Sequence, residues 1–195
     1  MTDSLGQGDA AVRLVRDERG LALVGDGMEL RGDFSRMLPR LRQGRLQQEL
    51  LVKAARIRGA EAPTAVDCTA GLGEDSLLLA AAGFAVTLFE RDQTIAALLA
   101  DALERAAADP RLAEAVGRMT LVAGNSITGL ATLPEPPDVV YLDPMFPART
   151  KSAAVKKKFQ LLHHLEQPCE EEEALVAAAL AAQPRKVVIK RPAKG

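Results

Sequence analysis

Tryptophan is absent from this 195-residue sequence and tyrosine occurs once; with five phenylalanines the aromatic share is only 3%. That scarcity argues against a platform of many rings stacked on single-stranded nucleic acid, and any base held by stacking must be held by few residues. The two cysteines, Cys68 and Cys169, lie far apart and suggest no disulfide framework, so a reduced intracellular protein is expected. Cys68 sits at a strand–loop junction and reads as a small buried packer rather than a nucleophile. The two histidines, His163 and His164, lack a cysteine or acidic set at ligand spacing, and no metal is expected. No apolar run approaches the roughly 20 residues that span a bilayer. The first residues, MTDSLGQGDA, lack the basic-then-apolar pattern of a signal peptide, and a cytoplasmic location without membrane partners is expected. Nor is there an excess of one charge: 25 basic residues face 26 acidic ones, a net of -1. A nucleic-acid partner must therefore be argued from local clustering.

What is present is ordinary globular composition, 48% hydrophobic and 26% charged, enough for one domain with a small appendage. Residues 11–25 alternate apolar and polar around Asp17-Glu18-Arg19-Gly20 and predict a β-hairpin. Residues 26–43 read as irregular and basic, with Arg31, Arg36, Arg40 and Arg42. A helix is expected from Gly44 to Ile57, with Leu46, Leu50, Leu51, Ala54 and Ile57 on one side. These elements make residues 1–58 an appendage with a linking helix. From there to residue 195, short apolar strands at 65–69, 85–91, 119–123, 139–143 and 186–190 alternate with helices at 74–82, 93–108 and 170–182. That alternation predicts a doubly wound α/β domain around a parallel sheet covered on both faces. The acidic run Glu170 to Glu173 suits a helix N-terminus, where the dipole favours anions.

The most informative segment is VDCTAGLGED, Val66 to Asp75: a strand that turns through Gly71 and Gly73 into a helix. Glycines there let the backbone approach a ligand, at the strand end where open α/β sheets bind one. Glu90 ends the next strand, nineteen residues after Gly71, and can accept both hydroxyls of a ribose. The spacing alone admits a dinucleotide or S-adenosyl-L-methionine. Serine at position 76 breaks the G-x-G-x-x-G pattern, and Glu74 and Asp75 would repel a pyrophosphate but not a zwitterionic amino acid, which favours the methyl donor. A plain strand–helix turn, with Glu90 a solvated strand end, is the blander alternative.

A second segment, Asp143-Pro144-Met145-Phe146-Pro147, ends the apolar strand Val139 to Leu142. Proline stops the ladder there, so Asp143 faces the same crevice. Methyl transfer to an amino group needs acceptors that orient its N–H bonds; the Asp143 carboxylate and Pro144 carbonyl supply them, and Phe146 offers a face to a planar base. Asp-Pro turns are also common without any function. Arg149, Lys151, Lys156, Lys157 and Lys158 follow directly, and with Lys186, Lys190, Arg191 and Lys194 can form a basic rim that neutralises RNA phosphates. Asn125 and Ser126 end the third strand, where they either contact adenine or make a plain turn.

The segments DCTAGLGEDS, LFERD, VVYLDPMFP, KSAAVKKKFQLL and VVIKRP resemble the bacterial ribosomal RNA small subunit methyltransferase J family over roughly Ile57 to Pro192. Asp-Pro-Met-Phe-Pro departs from the commoner Asp/Asn-Pro-Pro-aromatic form, and that family shares the departure. The resemblance implies a Rossmann-like class I methyltransferase that uses S-adenosyl-L-methionine to methylate the N2 amino group of a guanosine in small-subunit (16S) rRNA, as naked RNA or within the small ribosomal subunit. It carries donor contacts onto Glu74, Asp75, Glu90, Arg91, Asn125, Ser126 and Asp143. The family's glycine-rich basic stretch before the linking helix is thin here, with Gly44 its main remnant. Similar enzymes continue past the 186–190 strand into further strands, so the sheet edge is expected to be incomplete in this sequence. Amino-methylation of DNA bases or of a protein glutamine, and an RNA-binding module that holds the donor without turnover, are the readings that compete.

Overall fold

Strand-forming residues build two sheets of opposite character in the computed structural model, which describes residues 12–25, 27–144 and 172–191. The first is antiparallel: β1 (Arg13–Asp17), β2 (Gly20–Gly25) and β3 (Met28–Leu30), in that order. The expected hairpin is there, closed where Asp17 pairs with Gly20, whose φ of 103° suits glycine. The third strand was not expected, being only three residues long. The stretch read as irregular also holds a 3-10 turn (Phe34–Met37), capped by the Asp33 carboxylate on the Ser35 N–H, and helix α1 (Leu38–Leu41).

The linking helix differs from expectation. A 3-10 turn (Leu46–Gln48) and α2 (Leu50–Ala55) are separated by Glu49, whose extended ψ of 129° breaks the ladder. The break rotates the buried face. Leu46 and Ala55 are buried and Leu51, Val52 and Ile57 pack beneath them, whereas Leu50 is 80% exposed and Ala54 is also outside.

The second sheet comprises β4 (Thr64–Asp67), β5 (Ala85–Glu90), β6 (Met119–Ala123), β7 (Val139–Leu142) and β8 (Lys186–Ile189), all parallel, in the order β6-β5-β4-β7-β8. Between them run α3 (Glu74–Ala81), α4 (Gln93–Ala107), α5 (Ala113–Val116), α6 (Ser126–Leu130) and α7 (Glu172–Ala181). Successive strand residues point to opposite faces. Ala65, Val86, Leu88, Val139 and Tyr141 join the core under α3, α4 and α5. Val66, Cys68, Phe89, Val140 and Leu142 join the one that includes Leu130 of α6 and Leu175 and Ala179 of α7. This is the doubly wound α/β fold expected, with short α5 and α6 added.

The small sheet rests on α4. Leu23 and Leu30 pack on Leu98 and, with them, on Leu72 of the glycine loop. Asp101, its side chain 3% exposed, takes Arg16 at 2.7 Å and Arg105 at 2.8 Å, and Arg105 donates onward to the Gly32 carbonyl. Lys186 of β8 donates to the carbonyls of Ala54 and Arg56, closing the C-terminal end of α2. Among the described residues no helix is long and apolar enough to cross a membrane.

Candidate active site

In the second sheet, β5 and β6 lie to one side of β4 and β7 and β8 to the other. The switch point is therefore the seam between β4 and β7, where ligands bind in such sheets. Hydrogen bonds from the Cys68 N–H to the Tyr141 carbonyl, and from the Asp143 N–H to the Thr69 hydroxyl at 2.8 Å, hold the seam together just past the strand ends.

The glycine loop fills the β4 side. Gly71 (φ 54°) and Gly73 (φ 77°) are both left-handed. A Cβ on Gly73 would come within 2.7 Å of Leu99 and 3.1 Å of Phe34, whereas one on Gly71 would meet nothing within 4 Å. The loop is thus clamped from behind and open in front. Glu90 supports it: one carboxylate oxygen accepts the Gly71 N–H at 2.9 Å and the other the Asp92 N–H at 2.8 Å. Each oxygen keeps a second acceptor site. Burial raises the Glu90 pKa above the usual carboxylate value, opposed by those two backbone bonds.

Asp67 beneath the loop was not singled out in the sequence. It is fully buried and accepts the Ser76 hydroxyl at 2.6 Å and the Thr69 N–H at 3.0 Å. Burial pushes its pKa up to about 7 despite those bonds. Serine at position 76, the departure from the dinucleotide pattern, is thus the partner of a buried acid. The Cys68 thiol is buried, and burial raises its pKa, keeping it protonated.

Across the seam, four side chains converge. Lys190 reaches Asp75 at 2.7 Å and Asp143 at 2.8 Å, and the Tyr141 hydroxyl donates to the same Asp75 oxygen at 2.6 Å. Burial and the neighbouring Asp75 carboxylate hold the tyrosine in its protonated form. Of the cations expected in a basic rim, Lys190 is thus held by two crevice carboxylates, Lys186 donates to the α2 carbonyls, and Arg191 pairs with Glu172 at 2.8 Å.

A family model described as "Putative SAM-dependent methyltransferase" matches residues 7–195. The ribosomal RNA small subunit methyltransferase J of Thioalkalivibrio sulfidiphilus is 46% identical over 189 residues, covering 93% of this chain and 74% of the relative. That of Neisseria meningitidis is 40% identical, covering 92% and 72%. The crystal structure of a SAM-dependent methyltransferase from Neisseria gonorrhoeae superposes with a TM-score of 0.74 at 30% identity, covering 96% of this chain and 74% of that one. This chain belongs to the ribosomal RNA small subunit methyltransferase J family. It spans about three quarters of the length of these relatives.

Membership in the methyltransferase J family makes the chain a SAM-dependent methyltransferase with a Rossmann-like class I fold, and the crevice has the acceptors and open backbone that such a donor requires. Gly71 offers uncovered backbone, Glu90 has acceptor sites that could take ribose hydroxyls, and Glu74 and Asp75 are the carboxylates in the first turn of α3 that could meet an ammonium group. Bound S-adenosyl-L-methionine supplies an activated methyl group on a sulfonium; the protein's task is to hold the acceptor in line. Of the other residues expected to serve the site, Pro144 is buried beside Asp143, and Arg91 is exposed at the end of β5. Asn125 caps α6, its side-chain oxygen accepting the Ile127 N–H at 2.8 Å, and Ser126 is buried against Cys68. Phe146, Arg149, Lys151, Lys156, Lys157 and Lys158 lie outside the described residues.

Proposed function

We propose that this chain methylates the exocyclic N2 amino group of a guanosine in small-subunit rRNA, in the cytoplasm, with S-adenosyl-L-methionine as donor. The observation that carries the reading is Asp143 at the end of β7, tied by its backbone to Thr69 of the glycine loop and by its carboxylate to Lys190. An acceptor is thereby set beside the donor loop at the switch point. The relatives' shared name, which specifies the small-subunit ribosomal RNA, supports the substrate.

In this reading Glu90 holds the ribose and the Gly71–Gly73 loop lies along the methionine portion, with Glu74 and Asp75 near its ammonium. Arg91, Asn125 and Ser126 border the adenine. Asp143 and the Pro144 carbonyl accept the two N–H bonds of the target amino group, so that its lone pair faces the methyl. Bound donor would supply the methyl group and leave as a neutral thioether, and Asp143 would be the adjacent acceptor for the proton that the target nitrogen sheds. Phe146 stacks on the base, and Arg149, Lys151, Lys156, Lys157 and Lys158 meet the phosphates. Residues 59–195 carry this chemistry and 1–58 the appended unit.

The test offers labelled methyl donor in parallel to under-methylated small subunits, naked rRNA, DNA and protein extract. Label at guanine N2 of the RNA is expected. Label confined to DNA or to glutamine would replace the substrate, and donor binding with no transfer anywhere would reduce the chain to a binding module.

A further inference from the structure

Residues 36–58 carry seven basic side chains and one acidic one, a local charge of +6 in a chain whose total is -1, so everything else sums to -7. The structure sorts these cations. Arg36 is paired with Asp33, and Arg40 takes both oxygens of Glu49, the segment's single carboxylate, at 2.8 Å each. The other five, Arg42, Arg45, Lys53, Arg56 and Arg58, are exposed, and among the described residues none of them forms an ion pair. Leu50 stands 80% exposed among them, with Lys53 one turn further along the same face of α2.

The segment is also held in place. Phe34 and Met37 just before it and Leu46 and Ala55 within it are buried in the main core, and Lys186 closes the far end of α2. It lies beside the crevice: α2 and the 3-10 turn before α1 pack against α3, which opens with Glu74 and Asp75. A fixed cationic band thus runs from the mouth of the active site down the outside of α2. An exposed leucine and unpaired guanidinium groups spaced along a surface fit the backbone of structured RNA, where phosphates alternate with the less polar faces of riboses in a wide minor groove.

We propose that Arg42, Arg45, Lys53, Arg56 and Arg58, with Leu50, form a phosphate-binding surface that docks double-helical rRNA beside the crevice. It is separate from the basic stretch that follows the Asp-Pro motif. This rests on the reading of the chain as an RNA methyltransferase. Its contacts are to the backbone, so it sets the orientation of the substrate and not the choice of nucleotide.

The experiment compares wild type with the Arg42→Glu/Arg45→Glu/Arg56→Glu variant and a matching triple Arg→Lys variant, all in the full chain. Binding to a fluorescent RNA duplex of about 20 base pairs is measured from about 50 to 200 mM salt, alongside donor affinity by calorimetry and methylation of under-methylated small subunits. Expected for the glutamate variant are RNA affinity lower by about tenfold or more, a salt slope shallower by about 2 to 3, unchanged donor affinity and a raised KM for subunits at near-normal kcat. The lysine variant should behave like wild type. Unaltered RNA affinity and salt slope in the glutamate variant would overturn the surface, as would a parallel loss of donor affinity, which would mean the segment acts through the donor site. If wild type methylates DNA or protein instead of RNA, the functional reading itself fails, an outcome visible in wild type alone.

Discussion

Asp67 shows how one buried side chain sets both a local structure and a pH response. Its carboxyl keeps a proton in the folded state up to about 7, whereas an exposed aspartate gives it up near 3.8. Between those values the native state binds the extra proton, so stability falls as pH rises through that window and levels off above it. Asp67→Asn should flatten this slope, raising the denaturation midpoint at pH 8 more than at pH 5; equal shifts at both pH values would show that Asp67 does not titrate in this range. Asp143 and Lys190 carry the next two expectations. In the proposed reading, replacing Asp143 with alanine removes the acceptor for the target amino group, and turnover should fall by about 100-fold or more with donor affinity retained. Near-normal turnover in that variant would sink its role. Lys190→Met leaves Asp75 and Asp143 without their shared cation, and a drop in kcat of roughly 10- to 100-fold from lost positioning is expected, partly restored by Lys190→Arg.

Elements are held to one another by the same few contacts that shape the site. Gly73 starts α3 in the left-handed region and lies against Leu99 of α4 and Phe34 of the 3-10 turn, so the glycine loop, the long helix and the N-terminal segment meet at one atom-sized gap. Gly73→Ala should therefore cost about 2 kcal/mol, from the φ penalty and the close contact together, and should weaken donor binding as the loop shifts. A chemical denaturation curve and a donor titration check both halves. Gly71, with open space in front of it, should tolerate alanine better in stability than in donor affinity. Sequence periodicity placed α3, α4 and all five parallel strands to within a residue or two. It misjudged the linking helix because one residue, Glu49, adopts an extended ψ and pairs with Arg40, a choice made by a partner nine residues away.

For the molecule as a whole, the small antiparallel sheet is coupled to the parallel sheet through Asp101 of α4. Its two arginines come from different places, Arg16 on β1 and Arg105 on α4, and both are partly solvated. Asp101→Ala should lower stability by about 1 to 3 kcal/mol. Amide exchange should accelerate in β1 to β3 while β7, buried at all four positions, stays protected. Uniform acceleration across both sheets would mean the two units unfold together. The proposed docking surface on residues 42–58 depends on this arrangement, since that segment lies in the connection between the two sheets.

The glycine turn, Glu90 at the end of β5 and Asp143 at the end of β7 were determined by the sequence alone, because each depends on residues contiguous with it: an apolar run that makes a strand, then a glycine or proline that ends it. The parallel order of the strands followed from their alternation with helices. Tertiary structure decided what those strand ends meet. Lys190 reaches Asp75 across 115 residues, and the Tyr141 hydroxyl reaches it across 66; no local periodicity carries such pairings, which exist only because β7 and β8 lie on the far side of β4 from β5. The same holds for the cations of the N-terminal segment. Sequence shows their number, but which are neutralised and which face solvent depends on where Asp33 and Glu49 are placed by the fold.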